Sequence, residues 1–370
     1  MNRLAITTRQ CVRTAALAFS LVPLLHTANA ADWPTVQVTN VRRVFHNGEH
    51  NAFTDLVRWQ DRFWLAFRSC PDGHAVHPTA SVIVLASPDL QQWTESHRFR
   101  VARRDTRDPH FLVFQDKLFV YTGTWYCGDT APPRADYTLN KHLGYAAWTA
   151  DGRQWHSPIM LEGTFGHYVW RAATFGGKAY LCGRRNREFD MTALGEGTLV
   201  ESLMLESDDG LIWRKRALFQ EKQGDETAFL FEPDGRILGI GRRGGSQAQL
   251  LTSLPPYTTW ERRDLDRYLG GPLLVRWGTR FVVGGRKSGA ALVGDRGPKT
   301  ALYWLDPAAP TPDGLLREFA ELPSGGDTSY PGFVERSPTR AVVSWYSSHE
   351  QDADGKTMTA IYLADLELQP

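Results

Sequence analysis

The chain has 370 residues and a net charge of +1 at pH 7. Its length allows one large all-β domain or two smaller domains, and the nearly balanced charge gives no electrostatic support for nucleic-acid binding. Its 13 tryptophans and 33 glycines are spread among short apolar runs, and this composition favours an exported β protein that stacks aromatic rings on its ligand.

The first thirty residues have the features of a secretory signal peptide. Three arginines precede a short apolar run over residues 15–25, and small residues flank Asn29 at the predicted cleavage site. The run is too short to span a bilayer, and the sequence offers no other candidate span. We expect cleavage after Ala30, a secreted or periplasmic location, and one domain over residues 31–370. Because the leader carries three arginines and no acidic residue, the mature net charge is −2.

A seven-residue motif with the spacing Ser/Thr-x-Asp-x-x-x-Trp recurs three times. Its aspartate can accept hydrogen bonds from backbone amides of its own turn, and its tryptophan can pack on the hairpin. We therefore expect a structural role and assign the motif no chemistry. The three copies are residues 87–93, 149–155 and 207–213, with a looser copy from Ser253 to Trp260.

A longer repeat consists of a polar or acidic residue, an apolar strand, a short turn and a second apolar strand. Six such units occur, with starts at residues 55, 108, 171, 226, 271 and 327, so successive starts lie 45 to 63 residues apart. Repeats of this length predict an all-β fold, a six-bladed β-propeller with four-stranded antiparallel blades. We expect residues 31–45 to supply the outer strand of the last blade.

The six strand starts are expected to meet at one pocket, because the innermost strands of a propeller all begin at the same face of its channel. Several arginines that converge on a pocket form a carboxylate receptor, and nearby acids can act as general acid or base. Candidates at the strand starts are Asp55, Arg107, Asp108, Trp170, Arg171, Glu226, Asp327 and Tyr330. Candidates at or just beyond the ends of the following strands are Arg68, Trp125, Arg184, Arg242, Arg286, Tyr346, His349 and Glu350.

The order of these residues resembles that in sialidases. Together with the hairpin motif, which is similar to the Asp-box (BNR repeat), it makes the chain similar to the bacterial sialidase-like family of secreted β-propellers over nearly all of its mature length. The resemblance implies that three arginines, Arg68, Arg242 and Arg286, hold a substrate carboxylate. It also implies that Tyr346, assisted by Glu226, attacks the anomeric carbon. The sequence lacks the Arg-Ile-Pro motif that marks the first sialidase arginine.

Two assignments within this scheme rest on position alone. Asp108 is our candidate for the general acid, although the loop after Arg68 also offers acidic and histidine side chains. Tyr346 is the expected nucleophile, and Tyr330 is its rival because it belongs to the strand start Gly326–Val334. We expect Trp125 and Trp170 to stack on the sugar.

The sequence therefore predicts a monomeric, secreted exo-α-sialidase-like glycoside hydrolase that releases a terminal acidic sugar from a glycan. Three alternatives remain open. Arg107-Asp108-Pro109 resembles a segment of five-bladed furanosidases, in which Asp55, Asp108 and Glu226 would supply three carboxylates. His349 and Glu350 beside Tyr346 would suit a uronate-directed polysaccharide lyase. A carbohydrate-binding propeller without turnover would keep the arginines and tryptophans.

Two further motifs do not lead us to expect a cofactor or a metal. Residues 239–244 fit the pattern Gly-x-Gly-x-x-Gly, but no helix follows, so we expect no dinucleotide. His74 and His77 lie near Cys70, yet the loop lacks a fourth ligand at a suitable spacing, so we expect no metal. The mature chain has three cysteines, Cys70, Cys127 and Cys182, which allow at most one disulfide or buried free thiols.

Overall fold

The computed structural model describes residues 33–190, 199–288 and 297–369. These residues contain twenty-four β-strands. The predicted signal peptide, residues 1–30, lies outside the described residues. The first eleven strands are β1 (Val36–Phe45), β2 (His50–Trp59), β3 (Arg62–Cys70), β4 (Ser81–Ser87), β5 (Thr94–Phe99), β6 (Arg104–Phe114), β7 (Lys117–Tyr126), β8 (Leu143–Thr149), β9 (Trp155–Met160), β10 (Tyr168–Phe175) and β11 (Lys178–Asn186).

The remaining strands complete the second half of the ring. They are β12 (Val200–Ser207), β13 (Arg214–Gln220), β14 (Thr227–Phe231), β15 (Ile237–Arg243), β16 (Ser246–Ser253), β17 (Glu261–Asp264), β18 (Gly270–Trp277), β19 (Arg280–Lys287), β20 (Lys299–Leu305), β21 (Leu316–Leu322), β22 (Thr328–Ser337), β23 (Arg340–Gln351) and β24 (Thr357–Leu368). Short helical turns connect some of them, at Arg134–Asp136, Leu139–Lys141, Arg187–Phe189 and Pro312–Leu315.

These strands form six four-stranded antiparallel sheets, which are the blades of a propeller. Blades one to five are β2–β5, β6–β9, β10–β13, β14–β17 and β18–β21, each in sequence order. Blade six has the order β1-β24-β23-β22, so its outer strand comes from the start of the domain and closes the ring. The predicted six-bladed fold and the closing role of residues near 31–45 are confirmed.

The inner strands are apolar on both faces because neighbouring blades cover them. All seven residues of β4 are buried, as are eight of the nine residues of β3. The outer strand β9 is instead largely exposed. Tryptophans such as Trp64, Trp277 and Trp345 fill the space between blades and are almost fully buried. This packing between faces of adjacent sheets stabilises blades that would each be too small to fold alone.

The recurrent Ser/Thr-x-Asp motif forms the turn between the third and fourth strands of the first three blades. In the first copy, the Ser87 hydroxyl oxygen accepts the Leu90 amide at 2.8 Å. One oxygen of Asp89 accepts the next two backbone amides, Gln91 and Gln92, at 2.8 and 3.0 Å. The copies at residues 149–155 and 207–213 repeat these contacts, so the motif has the structural role expected of it.

Five of the six innermost strands are interrupted by a bulge close to their start. The strand register shifts at residues 52/55, 107/110, 169/172, 270/273 and 329/332. At three of these bulges a residue with a side chain adopts a left-handed backbone, with φ of 64° at Phe53, 50° at Asp108 and 51° at Tyr330. Bulges re-aim side chains, and backbone strain of this kind concentrates at functional sites.

Arg171 joins four blades at the centre of the ring. Its guanidinium donates to the carbonyl oxygens of Pro272 and Pro331 at 3.0 and 2.7 Å and to Asp55 at 3.1 Å. Asp55 also accepts the Phe111 amide at 2.8 Å. Both ions are buried and paired with each other, so Asp55 and Arg171, which we expected at the substrate, have a structural position instead.

Two other sequence expectations concern cysteines and membranes. Cys70, Cys127 and Cys182 are buried and form no disulfide with one another. Within the three described ranges, no helix is long and apolar enough to cross a membrane.

Asp209→Ala tests the stabilising role of the repeated turn. The carboxylate accepts two backbone amides, from Leu211 and Ile212, so we expect a loss of about 1–2 kcal/mol in unfolding free energy. Asp208→Ala is the matched control, because Asp208 is exposed and forms only surface ion pairs with Lys178 and Arg214. Urea unfolding measures both, and an equal loss in the two variants would contradict the turn's role.

Candidate active site

A cavity of about 1240 Å³ opens at the end of the ring where the innermost strands begin. All six blades contribute to its wall, as expected from the convergence of the strand starts. The wall carries five arginines against three carboxyl groups, so it is suited to an anionic ligand. Its functional side chains are Phe53, His74, Arg107, Asp108, Trp125, Arg134, Tyr137, Tyr168, Arg184, Glu226, Arg242, Arg286, Asp327 and Tyr330.

The centre of the wall is a phenol bound to a carboxylate. The Tyr330 hydroxyl donates to Glu226 Oε1 at 2.6 Å. The other oxygen, Oε2, accepts Arg242 Nη1 at 2.9 Å and the Gly271 amide at 3.1 Å. Glu226 starts blade four and Tyr330 starts blade six, so the ring alone brings them together. Both oxygens of Glu226 are thereby oriented, and the phenol proton points at a fixed acceptor.

The surrounding charges determine which member of the pair is ionised. Burial alone would raise the pKa of Glu226, but the charge of Arg242, the Tyr330 hydrogen bond and Arg184 together lower it to about 2. Burial, followed by the negative charge of Glu226, raises the pKa of Tyr330 well above its ordinary value. At neutral pH the proton therefore stays on the phenol and the carboxylate is ionised. Such a carboxylate can accept the phenol proton when the oxygen attacks an electrophile.

Arg286 lies beside this pair, and within the described residues some of its donors have no close partner. Its guanidinium carbon is 5.8 Å from the centre of the Tyr330 ring. Its polar contacts are long, 3.4 Å to the Thr328 carbonyl oxygen and 3.7 Å to Asp327 Oδ1. The guanidinium is thus held in place without being neutralised at close range. An incoming carboxylate can take these donors.

Asp108 faces the cavity from blade two as a protonated acid. Its Oδ2 accepts a hydrogen bond from the Tyr168 hydroxyl, and within the described residues its buried Oδ1 has no partner. Burial, reinforced by the charge of Glu226, raises the pKa of Asp108 to about 8. The carboxyl group thus carries a proton at neutral pH. These are the properties of a general acid.

The predicted arginine trio is not assembled, because Arg68 lies behind the wall. Arg68 is fully buried and binds both oxygens of Asp105, at 3.0 and 2.9 Å. Its remaining donors bind the carbonyl oxygens of Gly73 and Ala75. With its charge and its donors used in this way, Arg68 cannot receive a substrate. Arg107 shares Asp105 and does line the cavity, in contact with the Phe53 ring.

Asp327 is another carboxylate of the cavity wall, and three side chains form hydrogen bonds with it. Its Oδ1 accepts the Tyr346 hydroxyl at 2.8 Å, and its Oδ2 lies 2.8 Å from His50 Nε2 and 2.7 Å from His74 Nδ1. Burial opposes ionisation, but hydrogen bonds from the two histidines keep the pKa of Asp327 well below its ordinary value. Tyr346 is fully buried behind Asp327, whereas Tyr330 lines the cavity.

Three other predicted residues lie away from the cavity wall. Trp170 is almost fully buried and packs its ring edge-on against His110, at 4.8 Å between centroids. His349 contacts the Ser347 hydroxyl at 2.9 Å, and Glu350 pairs with Arg43 on the surface. The indole of Trp170 packs in the core, and His349 and Glu350 lie on β23 outside the cavity wall. Trp125 does line the cavity, as expected.

Several wall residues were not singled out from the sequence. Tyr168 precedes the predicted start of blade three, and Tyr137 and Arg134 lie on a connection without a repeat pattern. Asp105, which neutralises Arg68, precedes the predicted start of blade two by three residues. Tyr168 lies two residues before Trp170, but the bulge between Val169 and Ala172 breaks the alternation of the strand, so periodicity could not place Tyr168 on the wall.

Two groups of side chains bring three possible metal ligands within 4.8 Å of one another. The first is His50, His74 and Asp327, where both imidazoles already bond one carboxylate oxygen. Arg68 Nη1 lies 3.5 Å from His50 Nδ1, and Arg286 lies 3.7 Å from Asp327, so two cations disfavour a third. We therefore assign this group to hydrogen bonding. The second group, Cys70, Asp72 and His77, lies on the loop after β3.

No family model and no curated protein matches the sequence. Among solved structures, a protein of unknown function from Dyadobacter fermentans matches with a TM-score of 0.72 and 19% identity, over 91% of this chain and 100% of its own. The phage phi92 endosialidase matches with a TM-score of 0.67 and 8% identity, over 90% of this chain and 69% of its own.

Trypanosoma rangeli sialidase matches with a TM-score of 0.61 and 12% identity over 87% of this chain, which spans 55% of that enzyme. That sialidase has also been solved in complex with 2,3-difluorosialic acid as a covalent intermediate. At such low identities these likenesses show the fold alone, which is a sialidase-like propeller.

Gly271→Ala tests the packing of the Tyr330 ring. Gly271 has a φ of +58°, and a Cβ there would lie 2.6 Å from that ring. We expect a loss of about 2–4 kcal/mol in unfolding free energy, because backbone strain adds to overpacking. Gly278→Ala is the matched control, since its φ is +60° but its Cβ would approach only the Pro338 carbonyl oxygen at 3.8 Å. Equal losses in urea unfolding would contradict the close contact.

Asp108→Asn tests the protonation of the buried acid. The pKa of Asp108 is raised from 3.8 to about 8, so between these values the folded chain keeps a proton that the unfolded chain releases. This contribution to wild-type stability is present below about pH 4 and is lost as the pH rises to about 8. Asparagine lacks it, so the variant should gain stability relative to wild type over that range. A constant difference in urea midpoint between the two proteins would contradict the assignment.

Proposed function

We propose that the protein is a retaining glycoside hydrolase that removes a terminal acidic sugar from a glycan, with Tyr330 as its nucleophile. The observation that carries this proposal is the hydrogen bond from Tyr330 to ionised Glu226 beside Arg242 and Arg286. A neutral phenol next to Arg286, whose polar contacts are long, suits a substrate that brings its own carboxylate. A carboxylate nucleophile would be repelled by that substrate charge.

The first step forms a bond between the Tyr330 oxygen and the anomeric carbon. The phenol proton moves to Glu226, and the bond from the anomeric carbon to the leaving oxygen breaks. Asp108 gives its proton to that oxygen, so the aglycone leaves as a neutral alcohol. Arg242 and Arg286 stabilise the phenolate character that develops on Tyr330, since both charges act to lower its pKa.

The second step restores the enzyme. Asp108, now a carboxylate, removes a proton from water, and the water oxygen attacks the anomeric carbon. The bond to Tyr330 breaks, and the phenol recovers its proton from Glu226. Two displacements at one carbon give retention of configuration, which is the outcome of a covalent glycosyl intermediate.

Geometry favours Tyr330 over Tyr346 for this role. Tyr330 lines the cavity and shares Glu226 with Arg242, whereas Tyr346 is fully buried and bound to Asp327. Of the trio expected from the sequence, Arg286 and Arg242 then remain, since Arg68 is neutralised by Asp105, which also pairs with Arg107. The fold likeness to sialidases supports an acidic sugar as the substrate class. Export by the signal peptide would place the enzyme where such glycans occur.

A mechanism-based probe tests the nucleophile directly. A 2,3-difluoro derivative of a nonulosonic acid slows the second step, so the glycosyl group should accumulate on Tyr330 and be found there by peptide mass mapping. Tyr330→Phe should form no adduct and lose at least about 10³-fold in kcat on an aryl glycoside of the same sugar. Tyr346→Phe, the matched control, should form the adduct and change kcat less than about tenfold.

Other outcomes would contradict the proposal. An adduct on Tyr346, or on a carboxylate, would remove Tyr330 from the role of nucleophile. An unsaturated product that absorbs in the ultraviolet would indicate a lyase. Binding of acidic sugars with no turnover and no adduct in the wild-type protein would indicate a carbohydrate-binding propeller.

A further inference from the structure

The loop between β3 and β4 gathers four electron-pair donors at one point. They are the sulfur of Cys70, the carboxylate of Asp72, the imidazole of His77 and the hydroxyl of Thr79. All four belong to a segment of ten residues, so folding of the loop brings them together without help from another blade. Nothing in the proposed hydrolysis uses this group.

The four donor atoms are gathered closely enough for one ion to contact all of them, since those of Cys70, Asp72 and His77 lie within 4.8 Å of one another. His77 Nδ1 lies 3.0 Å from Asp72 Oδ2, and the Thr79 hydroxyl lies 2.6 Å from Asp72, 2.7 Å from His77 and 3.6 Å from the Cys70 sulfur. Zinc bonds of about 2.0–2.3 Å separate tetrahedral ligand atoms by about 3.3–3.7 Å. The three shortest separations would have to widen by about 0.3–0.7 Å to admit the ion.

Donor chemistry favours zinc over a harder cation. A thiolate, an imidazole and a carboxylate form a mixed S, N, O set, which zinc accepts and magnesium or calcium does not. A thiolate and a carboxylate would also balance the two charges of the ion. Asp72 is exposed, His77 is half-buried and Cys70 is buried, so the ion can enter from solvent and meet the sulfur last.

The sequence expectation of no metal rested on grouping His74 with His77 and on the lack of a fourth ligand. In the structure His74 turns away and bonds Asp327. Asp72 and Thr79 take up the positions that seemed to be missing. The spacing that defines the group is therefore Cys-x-Asp, followed by His five residues and Thr seven residues after the aspartate.

We infer that Cys70, Asp72 and His77 bind a zinc ion, with the Thr79 hydroxyl or a water at the fourth position. The ion would fix a loop that supports the cavity wall. The His77 amide donates to Asp105, and the carbonyl oxygens of Gly73, His74 and Ala75 accept from Arg68 and Arg107. Zinc is thus assigned a structural role, independent of whether the cavity hydrolyses glycans.

Cobalt replacement tests this inference without any measurement of activity. The purified full-length mature chain, freed of metal and titrated with Co²⁺, should bind one equivalent. It should show visible bands of tetrahedral cobalt and an intense near-ultraviolet band from sulfur to cobalt. Zn²⁺ should displace the cobalt and raise the Tm of the metal-free protein.

Variants locate the ion. Cys70→Ser should abolish the sulfur band, and His77→Gln or the exposed Asp72→Asn should weaken cobalt binding at least about tenfold. Cys182→Ser is the matched control, because Cys182 is also a buried free thiol but lies in blade three, and it should leave the spectrum unchanged.

Three results would overturn the inference. The first is the absence of cobalt and zinc binding in the wild-type chain. The second is cobalt that binds without a sulfur band and no longer binds in His74→Gln. That result would place the ion at His50, His74 and Asp327. The third is loss of the sulfur band in Cys182→Ser.

Discussion

The guanidinium of Arg171 is the contact on which the arrangement of the ring depends. It reaches two backbone carbonyl groups and the Asp55 carboxylate, and so connects the inner strands of blades one, three, five and six. A buried ion pair of this kind gains little over an apolar core, but it fixes one geometry because each donor has a single acceptor. With the axis fixed, bulged strand starts hold Phe53, Asp108 and Tyr330 in left-handed conformations at one open end.

Charge pairing then decides which arginines are available to a ligand. Arg68 is neutralised by both oxygens of Asp105, and Arg184 is paired with Asp225. Arg242 pairs with Glu226 at 2.9 Å and with Asp225 at 3.3 Å, whereas the contacts of Arg286 within the described residues are long. The arginines therefore differ in how far carboxylates neutralise them, and the least neutralised, Arg286, lies next to Tyr330. In the proposed mechanism, this difference would bring a substrate carboxylate beside the phenol.

The sequence was sufficient for the fold, and it was sufficient for part of the site. The fifty-residue repeat predicted the blades, and the rule that inner strands start at one face found Asp108, Glu226 and Tyr330. That rule failed for Arg68 and Trp170, because a strand position does not reveal the partner that buries it. Asp105 takes the charge of Arg68, and the indole fills the core beside His110. The choice between two tyrosines depended on a bulge that periodicity does not show.

The most direct test of this account is a crystal structure with a 2,3-dehydro analogue of a nonulosonic acid bound in the cavity. The account predicts the ligand carboxylate between Arg242 and Arg286, the anomeric carbon above the Tyr330 oxygen, and Asp108 Oδ1 on the side of the leaving group. A ligand carboxylate bound elsewhere on the wall, with the anomeric carbon out of reach of Tyr330, would contradict it.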